Sequence, residues 1–309
     1  MRNNNYTLER VSPYGIRSHA DTAVTDLYAS SFVRGITCHF STLLSHSVDH
    51  HGFYSINAEN DKLRGLLCFD NYLYLEYDFD KVLSSIMYNL IFANKTFVEI
   101  AFSKNDANEI IGISLLPFDA IKIASSKNYS WFVSRKPNKK TTVFKVEKKK
   151  YIEFNIKELE LKKNCLKRIV KKLKRINITS STRFIMDKKM KNKFRFNDFV
   201  KKQDVLKLKY PHEIGWLSST DNSYLSESYL LFRLIKQRGF QLKCLTHFLK
   251  KINDGLNNIS DMTNAEGTIE TTASFPAYQK EWEKYKKGEI SSLALSDIIY
   301  PKYSKKVSE

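Results

Sequence analysis

The chain has 309 residues, with 51 Lys+Arg against 33 Asp+Glu and a formal net charge of +18. Hydrophobic residues make up 42% and aromatics 13%, which suffices for one or two packed domains and excludes wholesale disorder. The ten glycines are never closer than twelve residues apart, so Gly-rich phosphate loops, dinucleotide fingerprints and the G-x-S-x-G elbow are all excluded. Cys38, Cys68, Cys165 and Cys244 show no C-x-x-C spacing, no stretch reaches the roughly 18 apolar residues of a membrane span, and the N-terminus has no apolar signal core. The expectation is an intracellular protein with reduced thiols and no membrane partner.

The charge is concentrated. Residues 135–209 hold 27 Lys+Arg and 7 Asp+Glu, whereas the remaining 234 residues hold 24 and 26. A block of this kind suits a polyanion, because each neutralised phosphate releases counterions.

In chain order, residues 1–18 read as a polar arm. Residues 20–45 read as a helix, with Ala23, Val24, Leu27, Tyr28 and Phe32 at helical spacing. Leu66 to Tyr77 is β-like, with Tyr72-Leu73-Tyr74-Leu75 alternating. Asp80 then suits an N-cap for a helix ending at Asn94, whose core face includes Val82, Ile86 and Leu90. Thr96 to Phe102 reads as a strand with Phe97 in the core. A turn at Lys104–Asn108 leads to a strand over Glu109–Leu116, stopped by Pro117. Short strands follow at Ile121–Ile123, Tyr129–Val133 and Thr141–Val146.

Asn155 and Glu158 form a capping-box pair, and a helix is expected from there to Ile176. Its apolar stripe is Leu159, Leu166, Ile169, Val170, Leu173 and Ile176. Its other face carries Lys162, Lys163, Lys167, Arg168, Lys171, Lys172, Lys174 and Arg175, the candidate DNA contacts. Asp221-Asn222-Ser223 precedes a long helix to about Asn253, bent or interrupted at Gly239. Its apolar residues cover more than one stripe, which makes Leu225, Tyr229 and Phe232 candidates for an oligomer interface. Residues 254–273 read as loop, Ser274 and Pro276 open a short helix that Gly288 closes, and the end frays. The segments are therefore an arm (1–18), an α/β core (19–134), a basic segment (135–210), a long helical segment (211–258) and a helical tail (259–309).

Three clusters bear on chemistry. His39, His46, His50 and His51 lie near Cys38 and Asp49, but H-E-x-x-H is lacking, so the polar-turn reading stands ahead of zinc. Glu76, Asp78 and Asp80 would share a face on a strand, as a metal-dependent nuclease needs, although Asp80 already has work as a cap. Phe194, Phe196 and Phe199 alternate with Lys193, Arg195, Lys201 and Lys202, a pattern of base stacking or, more commonly, of core aromatics. No catalytic, cofactor or metal residue is assigned.

One stretch carries a resemblance. An apolar helix over Asp80–Asn94 leads to Lys95-Thr96-Phe97-Val98-Glu99-Ile100. A polar turn precedes Ile110-Ile111-Gly112-Ile113-Ser114-Leu115-Leu116-Pro117, and Tyr129-Ser130-Trp131-Phe132 follows. This resembles the core of tailed-bacteriophage portal (head-tail connector) proteins. Ala23–Phe32 is similar to their first helix, Asp204–Leu208 to a short later strand, and Ser223–Ile252 to the long helix after it. The likeness spans residues 20–255 loosely. The fold class expected is α+β: a portal-like helix-plus-strand core, a Lys-rich middle segment and a long downstream helix. The resemblance implies a non-enzymatic virion protein, assembled in the host cytoplasm as a homo-oligomeric ring, usually a dodecamer. It also implies a conduit for double-stranded DNA and contacts with terminase, capsid and tail adaptor proteins. The alternatives are a cytoplasmic, non-enzymatic basic DNA-binding protein, such as a replication or maintenance factor, and a metal-dependent nuclease.

Overall fold

The computed structural model describes residues 7–12, 27–37, 54–58, 61–67, 75–134, 142–180, 205–206, 208–216, 226–271 and 277–299. The fold is α+β. In chain order its elements are β1 (Thr7–Glu9), α1 (Leu27–Thr37), β2 (Tyr54–Asn57), α2 (Lys62–Leu67), α3 (Leu75–Phe92), β3 (Lys95–Lys104) and β4 (Ile110–Phe118). Then come β5 (Ala120–Ser125), β6 (Tyr129–Ser134), β7 (Val143–Glu147), β8 (Tyr151–Asn155) and α4 (Cys165–Ser180). The chain continues with α5 (Glu227–Asn257), α6 (Ser260–Thr263), β9 (Thr268–Thr271), α7 (Tyr278–Lys286) and α8 (Ser292–Ile299). Two compact units form, and neither is a single stretch. The first takes Met1–Ala23, Val48–Lys163 and Cys244–Ser274; the second takes Val24–Ser47, Asn164–Lys243 and Phe275–Glu309.

The first unit is built around β3. This ten-residue strand pairs antiparallel with β4 along one edge and with β1 and β8 in tandem along the other. Both of its faces are buried, so the run from Thr96 to Ser103 is continuously inward. Phe97 points to one side, where the three-stranded β5–β6–β7 meander covers it with Phe132, Phe144 and Val146. Ring centroids of Phe97 and Phe132 lie 4.9 Å apart, and those of Phe118 and Phe132 5.4 Å. The opposite face, with Thr96, Val98 and Ile100 beside Ile152 and Phe154, is covered by helices. From α3, the buried Asn89 donates Nδ2–H to Thr96 Oγ1 at 3.1 Å. From the second half of α5, Phe248 meets Phe154 at 5.5 Å, and Gly255 lies so close that an added Cβ would stand 2.6 Å from the Ile152 side chain. The order of layers is thus helices, four-stranded sheet, three-stranded sheet.

Several expectations need correction. The arm is not free: β1 pairs with β3, and the buried Glu99 carboxylate accepts N–H bonds from Val11 (2.8 Å) and Ser12 (2.7 Å). Leu66 and Leu67 belong to α2, not to a strand, because Leu63 and Leu66 are buried at helical spacing. Leu75 opens α3, so Asp80 lies inside that helix rather than capping it. Ile86, Leu90 and Phe97 are core residues, whereas Val82 is half-buried. Pro117 lies within β4 opposite Val98, tolerated because β4 is an edge strand whose outer N–H groups need no partner.

The Asn155–Glu158 capping box forms, but it caps only the 3₁₀ turn Ile156–Leu159, which Glu160 ends at φ 57°. The helix after it starts at Cys165. Residues 254–273 are not all loop: α5 runs unbroken through Gly239 to Asn257, α6 follows, and β9 pairs with β2 from Tyr54↔Thr271 to Asn57↔Thr268.

In the second unit, α1 packs on α4, and Phe32 meets Trp216 edge-to-face at 5.4 Å. Gly35 is required there, since a Cβ would come 2.5 Å from Trp216 Nε1. Leu231 and Ile235 of α5 bury against Tyr278 of α7 and Leu295 and Ile299 of α8. Helix α7 starts after Ala277, which makes no side-chain cap bond. It ends at Gly288 (φ 75°), where Gly288 N–H reaches Tyr285 O and Glu289 N–H reaches Lys284 O, a Schellman closure. Helix α8 falls inside the expected helical tail (259–309), which gives no bounds for it.

Candidate nucleic-acid interface

Helix α4 sorts its residues by period. Cys165, Leu166, Ile169, Val170 and Leu173 are buried, and Lys167, Arg168, Lys171 and Lys172 are exposed. Lys174 is half-buried. Arg175 lies on the helix, with its side chain outside the described residues. Lys162 and Lys163 are exposed but precede the helix, in the turn that leads to Asn164 (φ 60°). The basic helix face is therefore Lys167, Arg168, Lys171 and Lys172, shorter than the eight-residue set read from the sequence. None of these four has an ion-pair partner among the described residues. Lys172 Nζ lies 5.5 Å from the centre of the Tyr210 ring. A line of uncompensated cations on a helix whose other side is locked into core is a rigid surface for phosphates.

A buried cation missed at the sequence level anchors the neighbouring turn. Arg233 of α5 is fully buried. It donates from Nε to Gly215 O (3.2 Å), from Nη1 to Leu208 O (2.9 Å) and Tyr229 Oη (3.0 Å), and from Nη2 to Trp216 O (2.5 Å). The guanidinium fork thus holds the turn before Trp216 on the helix. His212, on the same turn, is pushed below its ordinary value by desolvation and by Lys236 and Arg233. The sequence signal was an arginine with apolar neighbours on both sides, Leu230-Leu231-Phe232-Arg233-Leu234-Ile235.

Of the interface candidates, Tyr229 is half-buried, with its hydroxyl on Arg233, and the Phe232 ring lies 5.4 Å from that of Trp282. Leu225 lies outside the described residues. So do His39, His46, His50, His51, Phe194, Phe196 and Phe199. Glu76, Asp78 and Asp80 fall in α3, so the strand face that motivated a nuclease site does not exist. Among the described residues no group of three or more His, Cys, Asp or Glu could hold a metal ion, and no helix is long and apolar enough to cross a membrane. Val205-Leu206 and Leu208-Lys209 are helical, not the strand expected at Asp204–Leu208.

No protein-family model matches the chain, and no curated protein matches it.

Proposed function

We propose that this chain is a non-enzymatic, portal-like structural protein, which assembles as a ring of identical subunits around double-stranded DNA. The observation that carries the reading is the packing of the run that bears the resemblance. Helix α3, the β3–β4 hairpin and the aromatic strand β6 follow one another in the expected order and pack in successive layers: α3 covers one face of the hairpin through Asn89 on Thr96, and Phe132 of β6 meets Phe97 on the other. The exposed cations of α4 supply a polyanion contact beside that scaffold in the sequence. On this reading terminase, capsid and tail adaptor proteins are its partners, and the virion its destination.

Native mass measurement tests it. An assembly of about ten or more copies that also binds duplex DNA supports the portal reading. A monomer or dimer that binds duplex DNA through α4 replaces it with the second reading, a basic replication or maintenance factor. The exposed face of α4 alone favours that second reading equally; the α3–β6 run favours the first.

A further inference from the structure

We infer that the outer face of the β5–β6–β7 sheet is a contact surface for a second copy of this chain, and that it receives the acidic surface at the end of α5. This deepens the ring reading above by naming two surfaces, and rests on it for the idea of repeated identical subunits.

Strand β6 alternates. Ser130 and Phe132 turn inward, so Tyr129, Trp131 and Val133 turn outward and are half-buried. The register sets Ile121 beside Val133 and Val133 beside Val143, and sets Trp131 beside Lys145. Ile121 is 48% exposed, Ile123 at the bulge 54% and Val143 57%. They are three of the eight large exposed hydrophobic residues among the described ones, gathered on one small sheet face. The rim is mostly cationic: Glu147, opposite Tyr129 on the same face, lies 3.9 Å from Lys150 Nζ, and the other charged residues are lysines. Lys145 Nζ lies 3.8 Å from the centre of the Tyr129 ring. At one end of the sheet Lys148 N–H bonds Asn128 O at 2.8 Å, which brings Lys127 toward Lys148 and Lys149. None of Lys127, Lys145, Lys148 and Lys149 has an ion-pair partner among the described residues. An apolar, aromatic centre within a charged rim is the anatomy of a protein interface.

The same chain carries the complement. No Lys or Arg lies between Lys251 and Lys280, yet Asp254, Asp261, Glu266 and Glu270 do. All four acids are exposed and lack an ion-pair partner among the described residues, and Met262 among them is 42% exposed. This acidic stretch is opposite in sign to the lysines around the sheet face. The end of α5 lies across the unit from the β5–β6–β7 sheet, because Phe248 and Gly255 pack on the face of the four-stranded sheet that β5–β6–β7 does not cover, and Asn253 ties β9, which carries Glu270, to that same end. One side giving and the other receiving makes a heterologous, head-to-tail contact, which closes into a ring or runs on as a filament. Stacked nucleic-acid bases suit the sheet face less well. Branched aliphatic side chains form its most exposed part, and Lys145 already occupies one side of the Tyr129 ring.

The test compares native mass and sedimentation of the full chain with three variants. Val143→Asp with Lys145→Glu should reduce the assembly to monomers, as should Asp261→Lys with Glu266→Lys. Combining Lys127→Glu and Lys145→Glu with Asp261→Lys and Glu266→Lys should restore it. Circular dichroism melts should match wild type throughout, because every altered residue is exposed. A wild-type ring that survives the first two variants overturns this interface and leaves the ring standing. A wild-type filament or smaller oligomer that dissociates and is restored by the swap overturns the ring and keeps the interface. A wild-type monomer overturns both. If such a monomer also loses single-stranded DNA binding on Trp131→Ala, the face belongs to nucleic acid.

Discussion

Replacing Arg233 is the sharpest perturbation of the second unit. Its guanidinium is fully buried and satisfies three backbone carbonyls, at Leu208, Gly215 and Trp216. Arg233→Ala strips all three acceptors of their donor, and each dry, orphaned carbonyl costs about 1–3 kcal/mol. Relief from burying a charge, and water entering the space, offset part of that. The net loss expected is about 3–5 kcal/mol, the lower part of the sum of three such orphaned carbonyls. Arg233→Met refills much of the volume but restores no hydrogen bond, so it should lie between alanine and wild type. Arg233→Lys supplies a point charge without the fork and should rescue only part. Urea titration with an unchanged slope gives the energies. Limited proteolysis should show new cleavage at 208–216 in the alanine variant under native conditions. An alanine variant within about 0.5 kcal/mol of wild type, with that turn still protected, refutes the account of Arg233 as the anchor.

Leu90 is 1% exposed on α3, and Leu90→Ala should cost about 2–5 kcal/mol by urea titration. Charge reversal of Lys167, Arg168, Lys171 and Lys172 together should flatten the salt dependence of DNA affinity. The slope of log affinity against log salt should fall by about 0.9 for each phosphate no longer neutralised. An unchanged slope assigns this helix face to protein or solvent. Partial burial pushes the Glu158 carboxyl upward, but the hydrogen bonds from Lys251 (2.8 Å) and His247 (3.0 Å), the Lys251 charge and the Asn155 N–H together outweigh it, so the carboxyl sits below its ordinary value of 4.5. A depressed carboxylate stabilises the fold above its unfolded value and loses that contribution as pH falls through the folded one. Glu158→Gln should therefore lower the melting temperature near neutral pH, by an amount that shrinks as pH drops below 4.5.

The β3–β4 hairpin is legible in the sequence because its cues are local. Lys95–Ile100 and Ile110–Leu116 are apolar runs around a polar turn, and Asn108 takes the left-handed conformation (φ 60°) that the turn needs. Sequence reasoning fails where the deciding partner is distant. Residues 268–271 are polar enough to read as loop, yet they form a strand because β2 pairs with them from the other end of the sequence. Asn253 fixes that strand, donating Nδ2–H to Ile269 O (3.0 Å) and accepting Ile269 N–H on Oδ1 (2.8 Å). The arm is misread for the same reason: Val11 and Ser12 are held by Glu99, which the sequence shows only as one polar residue in an apolar strand. In the basic segment the alternation of cation and apolar residue is readable. The point where the helix begins is not, because a capping box announces a first turn and says nothing of how many follow.

Helix α5 explains why its apolar surplus is hard to assign. Arg233, Gln237 and Gln241 recur every four residues and line one stripe. Each donates to backbone: Arg233 to the turn before Trp216, and both glutamines to Gly35 O, at 3.5 and 3.3 Å. Leu231 and Ile235 form a second stripe beneath α7 and α8. From Cys244 onward the pattern becomes one apolar stripe, Leu245, Phe248, Leu249, Ile252 and Leu256, and the boundary between the two units falls at that change. Part of the apolar coverage that pointed to an outside partner is used within the chain, with Tyr229 on Arg233 and Phe232 on Trp282, and both side chains remain half-buried. The exposed aliphatic residues of the β5–β6–β7 sheet have no such covering element among the described residues. If identical subunits meet, the most exposed aliphatic residues available to drive that meeting are on the sheet face, at Ile121, Ile123 and Val143.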